Sequence, residues 1–152
     1  MLSLTAPAIL AILFAQVEVL ASDQAAMSYC SYAFKKQYIC KITGSHLAKS
    51  PKWSDDAENP PLAAKKAIDL ATKMKDSLVK DGKQYKWELD SLELRQTPFS
   101  RWLWVAKYQA RFQGMSTGIP HELDIVVMMD GTVIKPEVLD VNDEPDKTPN
   151  SN

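Results

Sequence analysis

The spacing of apolar residues changes period along the chain, from helical to strand-like. Between Leu62 and Lys80, apolar residues recur at helical spacing and charged residues fill the other positions. This pattern predicts an amphipathic helix with one face toward a core. We expect Asn59 to cap its start and Asp81-Gly82 to end it. The apolar positions are Ala64, Ala67, Ile68, Ala71, Met74 and Leu78.

Beyond Gly82 the period becomes two, which is typical of antiparallel strands. A change of phase predicts a bulge at Asp90-Ser91, and Asp130-Gly131 is typical of a tight hairpin turn. We expect Pro136 to limit the last strand to an edge. The expected strands cover 85–94, 102–112, 122–129 and 132–134.

A further strand is expected before the helix, at 38–43, where β-branched and aromatic residues are frequent. The order is therefore strand, helix and meander. The fold class expected from this order is α+β, with one long helix packed on a four- to five-stranded antiparallel sheet.

The first 21 residues have the pattern of a secretory signal peptide, an apolar run that ends in small residues. Val19 and Ala21 suit cleavage before Ser22, and the alternative is an N-terminal helix packed on the domain. Cleavage predicts a secreted or periplasmic protein without stable membrane insertion. The remaining regions are an N-terminal extension at 22–37, the α+β domain at 38–139 and a disordered acidic tail at 140–152.

Charge excludes one class of partner. Lys and Arg number 18 against 19 Asp and Glu, so no strong basic field favours nucleic acid. In an oxidising compartment, Cys30 and Cys40 can form a disulfide. The alternative is that Cys40 is a small buried strand residue. No cofactor and no metal site are expected, because ligand spacings are missing.

Few residues are candidates for catalysis. His46 and His121 are the two histidines of the chain and its candidate general bases. Neither stands in a pattern with an activated nucleophile or an oxyanion loop, so we do not expect an enzyme. Asp55, Asp56 and Glu58 lack the oxygen spacing of a calcium loop.

The reverse face of the predicted sheet is unusually apolar. One antiparallel sheet with a solvated face should carry polar residues there. We therefore expect an interaction surface covered by a protein partner or a second copy, or alternatively by the N-terminal part of the chain itself. The candidate residues are Leu103, Val105, Val126 and Met128, with Met115 in the neighbouring 113–120 loop.

The layout from 61 to 136 resembles a PepSY-type domain, and its order is similar to the cystatin fold. The strings that carry the likeness are Lys86-Trp87-Glu88-Leu89, Trp102-Leu103-Trp104-Val105 and Met129-Asp130-Gly131-Thr132-Val133. The resemblance implies a bacterial secreted or envelope protein with a protease-regulatory or chaperoning role. The segment 109–114 departs from the Gln-x-Val-x-Gly loop of cystatins, so the resemblance does not extend to inhibition through that loop.

Two functions follow as hypotheses. The first is an exported, non-enzymatic protein-interaction module that uses the apolar sheet face or the 113–120 loop. The alternative is a small-ligand binder or enzyme with a pocket between the helix and the aromatic sheet face. That pocket would be lined by Trp87, Trp104 and Tyr108.

Overall fold

The computed structural model describes residues 23–113 and 120–141, which form two antiparallel sheets and two helices. A small sheet has the strand order β1-β2-β7, and a large sheet has the order β3-β4-β5-β6. The elements are β1 Ala25–Ala33, β2 Lys36–Thr43, α1 Gly44–Lys49, α2 Ala64–Leu78, β3 Tyr85–Gln96, β4 Trp102–Phe112, β5 Glu122–Met128, β6 Val133–Ile134 and β7 Glu137–Asp140.

The α+β prediction of one long helix on a single sheet is wrong. The described residues are mostly β, and α2 has 15 residues. The predicted N-terminal extension contains β1 and the start of β2 instead. Its residues are largely small or polar, so their alternation gave little strand signal. The segment after Pro136 likewise forms β7, which pairs with β2.

The molecule has three layers with the large sheet in the middle. Helix α2 packs on one face, over β4, β5 and β6. Its two buried alanines, Ala67 and Ala71, allow a close approach to Trp104 and Tyr108. The small sheet and α1 cover the other face and enclose a second core cluster. This second cluster explains why both faces of β4 and β5 are apolar.

Of the local predictions, two are confirmed and two are wrong. The register of β3 on β4 shifts between Leu89 and Ser91, which is the expected bulge. Gly131 has a φ of +88° in the turn after β5, a conformation that favours glycine. The predicted helix cap is wrong, because the N-cap is Ala63 and no side chain caps it. The helix also ends at Leu78, before Asp81-Gly82.

The turn between β1 and β2 wraps around the end of β5. Phe34 and Lys35 form this turn with φ values of 48° and 61°. Ser31 of β1 accepts a hydrogen bond from the backbone N–H of Asp124 at 3.0 Å. Phe34 thereby reaches the helix-side face of the large sheet, where its ring contacts Tyr85 and His121. The hairpin tip closes this end of the helix-side core.

Candidate functional site

The predicted interaction surface lies inside the protein. Four of its residues are completely buried between the large sheet and the small sheet. They are Leu103, Val105, Val126 and Met128. Cys40, Ile42 and Leu47 pack against them, so the chain's own N-terminal part covers this face. The face is therefore not open to a partner or a second copy, and Met115 lies outside the described residues.

The predicted disulfide between Cys30 and Cys40 is also corrected. Both thiols are free, Cys30 exposed and Cys40 buried. In the β1–β2 register, Tyr29 lies opposite Cys40 and Cys30 lies opposite Ile39. Because neighbouring strand residues point to opposite faces, the two thiols lie on opposite sides of the small sheet.

Cys40 has a structural role that the sequence did not reveal. Its thiol donates to the carbonyl oxygen of Asp124 at 3.4 Å and lies 3.8 Å from that of Ile134. Burial raises the pKa of the Cys40 thiol to about 11. The thiol therefore stays protonated at neutral pH and serves as a weak donor to the edge of β5.

Both histidines make structural contacts. His46 is the N3 residue of a capping box at the start of α1, where its Nδ1 accepts from the backbone N–H of Thr43 at 3.1 Å. His121 accepts from the backbone N–H of Phe34 at 3.3 Å and stacks on the Phe34 ring. Each ring thus fixes a turn. The hydroxyl nearest to His46, that of Thr43 at 3.0 Å from Nδ1, is part of the same cap and accepts from the backbone N–H of His46 at 3.3 Å.

The three aromatic residues of the predicted ligand pocket are packed in the core. Trp87, Trp104 and Tyr108 are buried in the helix-side cluster. The Trp104 indole donates to the carbonyl oxygen of Leu62 at 2.9 Å, and the Tyr108 hydroxyl lies 2.9 Å from that of Thr72. Their polar atoms are therefore satisfied within the protein and do not line an opening between helix and sheet.

Among 23–113 and 120–141, no group of three or more His, Cys, Asp or Glu side chains could hold a metal ion. Within the same residues, no helix has the length and hydropathy needed to cross a membrane.

The large sheet has an exposed edge along the outer side of β3, its first strand. β4 pairs with one side of β3 from Tyr85 to Gln96. On the other side, the turn that precedes β3 covers its first residues. The backbone N–H of Trp87 donates to the Asp81 carboxylate at 2.8 Å, and the backbone N–H of Gly82 donates to the carbonyl oxygen of Tyr85 at 3.0 Å. The rest of this edge has no strand partner in the described residues.

The register shows which backbone groups of β3 face outward. The backbone N–H of Gln113 donates to the carbonyl oxygen of Gln84, just before β3. The backbone N–H of Ala110 instead donates to the carbonyl oxygen of His121, just before β5. The backbone groups of odd-numbered residues of β4 therefore form hydrogen bonds with β3. After the bulge, the β3 residues opposite them are Ser91, Glu93 and Arg95. The N–H and C=O groups of the residues between them point away from the sheet. These residues are Leu92, Leu94 and Gln96.

Leucines and charges occupy opposite faces of this edge. Leu89 is 38% exposed, and Leu92 and Leu94 are half-buried against the helix-side core. Helix α2 lies over the other three strands and leaves these side chains partly uncovered. An edge with free backbone groups and adjacent apolar side chains is suited to pairing with another strand.

On the other face, acidic residues of β3 pair with basic residues of β4. Lys107 lies 2.6 Å from Glu93, and Arg111 lies 2.9 Å from Asp90 and 3.3 Å from Glu88. Hydrogen bonds from Lys107 and then Arg95 lower the pKa of Glu93. Hydrogen bonding to Glu93 in turn raises the pKa of Lys107. The basic partners lie mainly on the inner strand, so the middle of the outer edge is acidic.

Comparison of the chain with protein-family models, with curated proteins and with solved structures finds no match. The PepSY-type resemblance therefore stays a prediction.

Proposed function

We propose that the protein is an exported, non-enzymatic binding module that adds an extended segment of another protein as a strand beside β3. The observation that carries this proposal is the outer edge of β3 beyond its bulge, where backbone donors and acceptors face outward next to partly exposed leucines. Strand addition uses such an edge for affinity and the alternate side chains for specificity.

The chemistry of the edge defines the partner. Its apolar residues would pack on Leu92 and Leu94, and the alternate residues would lie beside Glu88, Asp90 and Glu93. A segment that alternates apolar and basic residues is complementary to both rows. A second copy is a poorer partner, because two β3 edges meeting along 88–93 would bring acidic rows together.

Hydrogen exchange with a defined probe tests the proposal. In the free protein, the outward amides of Leu92 and Leu94 should exchange faster than the inward amides of Glu93 and Arg95. A short peptide that alternates valine and lysine should protect the outward amides. The same peptide with alternate N-methylated residues, which cannot donate along one edge, should not.

A matched pair of variants locates the binding. Leu89→Lys places a charge at the edge, as natural edge strands do, and should abolish protection by the peptide. Val138→Lys changes a similarly exposed residue on β7 of the small sheet and should leave protection intact. The proposal fails if the outward amides stay unprotected with the peptide, or if the N-methylated peptide protects them equally. Dimerisation of the free protein through the same amides would instead identify a second copy as the partner. It would contradict the proposal that the added strand comes from another protein.

Export is tested separately. The apolar run that ends at Ala21 predicts removal before Ser22. N-terminal sequencing of the protein recovered outside the cytoplasm should begin at or close to Ser22. Recovery of the intact Met1 terminus in the cytosol would contradict export and would leave the β3 edge proposal standing.

A further inference from the structure

Two tryptophans form an open corner near the end of β3, where Trp102 pairs with Gln96. Trp53, in the loop between the helices, and Trp102, at the start of β4, lie with ring centroids 5.4 Å apart and planes at 70°. They line a cleft of about 200 Å³ together with Ser54, Asp55 and Ala57. Both rings are partly exposed.

The loop holds the Trp53 ring in place. The Trp53 indole N–H donates to the carbonyl oxygen of Ala57 at 2.9 Å, and the Ala57 N–H donates to that of Ser54 at 3.0 Å. Because its one polar donor is used inside the loop, Trp53 presents only its π system to the cleft. The other ring, that of Trp102, extends from the first residue of β4 and packs against the helix-side core cluster.

The charge at the cleft is negative. Asp55 lines it, and Asp56 and Glu58 follow in the same loop, with Lys52 as the nearest basic residue in sequence. No ion pair or hydrogen bond of the Asp55 carboxylate occurs in the described residues. A carboxylate with no basic partner among the described residues thus lines the same cleft as two indole rings, whose faces are themselves electron-rich.

We infer that this cleft binds a compact organic cation of the trimethylammonium class. Indole rings attract a cation held within about 6 Å of the ring centre, and a carboxylate adds a direct charge interaction. Two rings at a steep angle can contact a rounded group on two sides, whereas a flat sugar ring is suited to a single platform. The inference is independent of strand addition at β3.

Choline and its neutral carbon analogue, in which carbon replaces the nitrogen, separate cation binding from simple apolar binding. Quenching of tryptophan fluorescence should saturate with choline in the millimolar range or below. The analogue should bind about tenfold more weakly, which corresponds to loss of a cation–π interaction of about 1.4 kcal/mol. Equal binding of both compounds would overturn the inference. So would the absence of saturation with choline, or tighter binding of glucose than of choline.

Variants assign the binding to this cleft. Asp55→Asn should weaken choline binding several-fold, and Asp56→Asn, its matched control outside the cleft, should have little effect. Trp53→Ala should abolish binding, and Trp102→Phe, which keeps an aromatic ring in the strand, should weaken it while the thermal unfolding midpoint stays close to that of the parent. Equal effects of Asp55→Asn and Asp56→Asn would place the interaction elsewhere and overturn the assignment.

The source of the cation is distinguished by a further comparison. Vesicles of phosphatidylcholine should retain the protein only if a lipid headgroup can enter the cleft, with phosphatidylglycerol vesicles as the control. Binding of choline but not of vesicles identifies a free small molecule as the ligand, and either pattern agrees with the inferred chemistry.

Discussion

Phe34 and His121 stack with ring centroids 4.1 Å apart and planes at 21°, although 87 positions separate them in the sequence. The backbone N–H of Phe34 donates to the same imidazole. This pair joins the tip of the β1–β2 hairpin to the start of β5. It therefore adds to the contacts between the small sheet and the helix-side core, in which Ala33 of β1 and Tyr38 of β2 are also buried.

Truncation of this contact should destabilise the protein moderately. Phe34 is 36% exposed, so Phe34→Ala should lower the free energy of unfolding by about 1–2 kcal/mol, below the cost for a fully buried ring. Chemical denaturation measures the change. Tyr32→Ala, at a more exposed ring on the same hairpin, is the control and should cost less than about 0.5 kcal/mol. Equal costs would mean that the tip does not pack on His121.

Glycine at position 35 of the β1–β2 turn should stabilise the protein. Lys35 has a φ of 61°, a conformation that costs a non-glycine residue about 1–2 kcal/mol. Lys35→Gly should therefore stabilise the protein by about 0.5–1 kcal/mol, because the backbone N–H of Val141 can still bond to the carbonyl at this position. Lys36→Gly, one residue later in β2, should destabilise by a similar amount. Two destabilising changes would argue against the left-handed turn.

Trp104 should be among the most sensitive positions of the helix-side core. Trp104→Ala should cost about 3–5 kcal/mol, as expected for removal of a buried aromatic ring. Trp104→Phe keeps most of the packing but leaves the Leu62 carbonyl without its donor, so about 1–3 kcal/mol is expected. An unchanged midpoint of denaturation for Trp104→Ala would contradict the assigned faces of β4.

The two thiols should differ in reactivity. Iodoacetamide should modify Cys30 in the native protein and leave Cys40 unmodified, because Cys40 is buried and its pKa is raised to about 11. Both should react after unfolding. Mass spectrometry counts and locates the labels, and Cys30→Ser should remove native labelling. An intact mass lower by two hydrogen atoms would instead indicate a disulfide.

Asp124 should lower the stability of the protein as pH rises, whereas a carboxylate in an ion pair raises it. Burial raises the pKa of Asp124, against the opposing charge of Lys107. The folded state therefore binds this proton more tightly than the unfolded state, and the stability due to this group falls as pH rises from its unfolded pKa through its folded pKa. Asp124→Asn should raise stability at neutral pH but not below about pH 4. A loss at neutral pH would mean that attraction to Lys107 outweighs burial.

The sequence was sufficient to predict β4, and the reason is the chemistry of its residues. Large aromatic side chains alternate there with aliphatic ones, so the face toward the helix could be assigned correctly. It was not sufficient for β1, where Met27, Ser28 and Ser31 give no clear alternation. The β1–β2 turn, Phe34-Lys35, also lacks the glycine or asparagine typical of its conformation.

The candidate site could not be predicted for a different reason. Alternation along 85–94 reports which face of a strand is buried, and carries no information about which strands lie beside it. The open edge of β3 follows from the strand order of the large sheet, and the covered face of β4 follows from packing of the small sheet on it. The small sheet is itself completed by pairing between β2 and β7, which no local pattern in the sequence indicates.

The pairing of β2 with β7 has a consequence for synthesis. Tyr38 lies opposite Val138, about 100 positions later in the chain. A ribosome completes the β1–β2 hairpin early, but its partner strand follows only after the whole large sheet has been made. The apolar side of β2, with Cys40 and Ile42, likewise remains exposed until β4 and β5, which cover it, have been made. Folding should therefore be slow relative to that of proteins with local contacts. During this interval the nascent chain is most exposed to aggregation and depends most on chaperones.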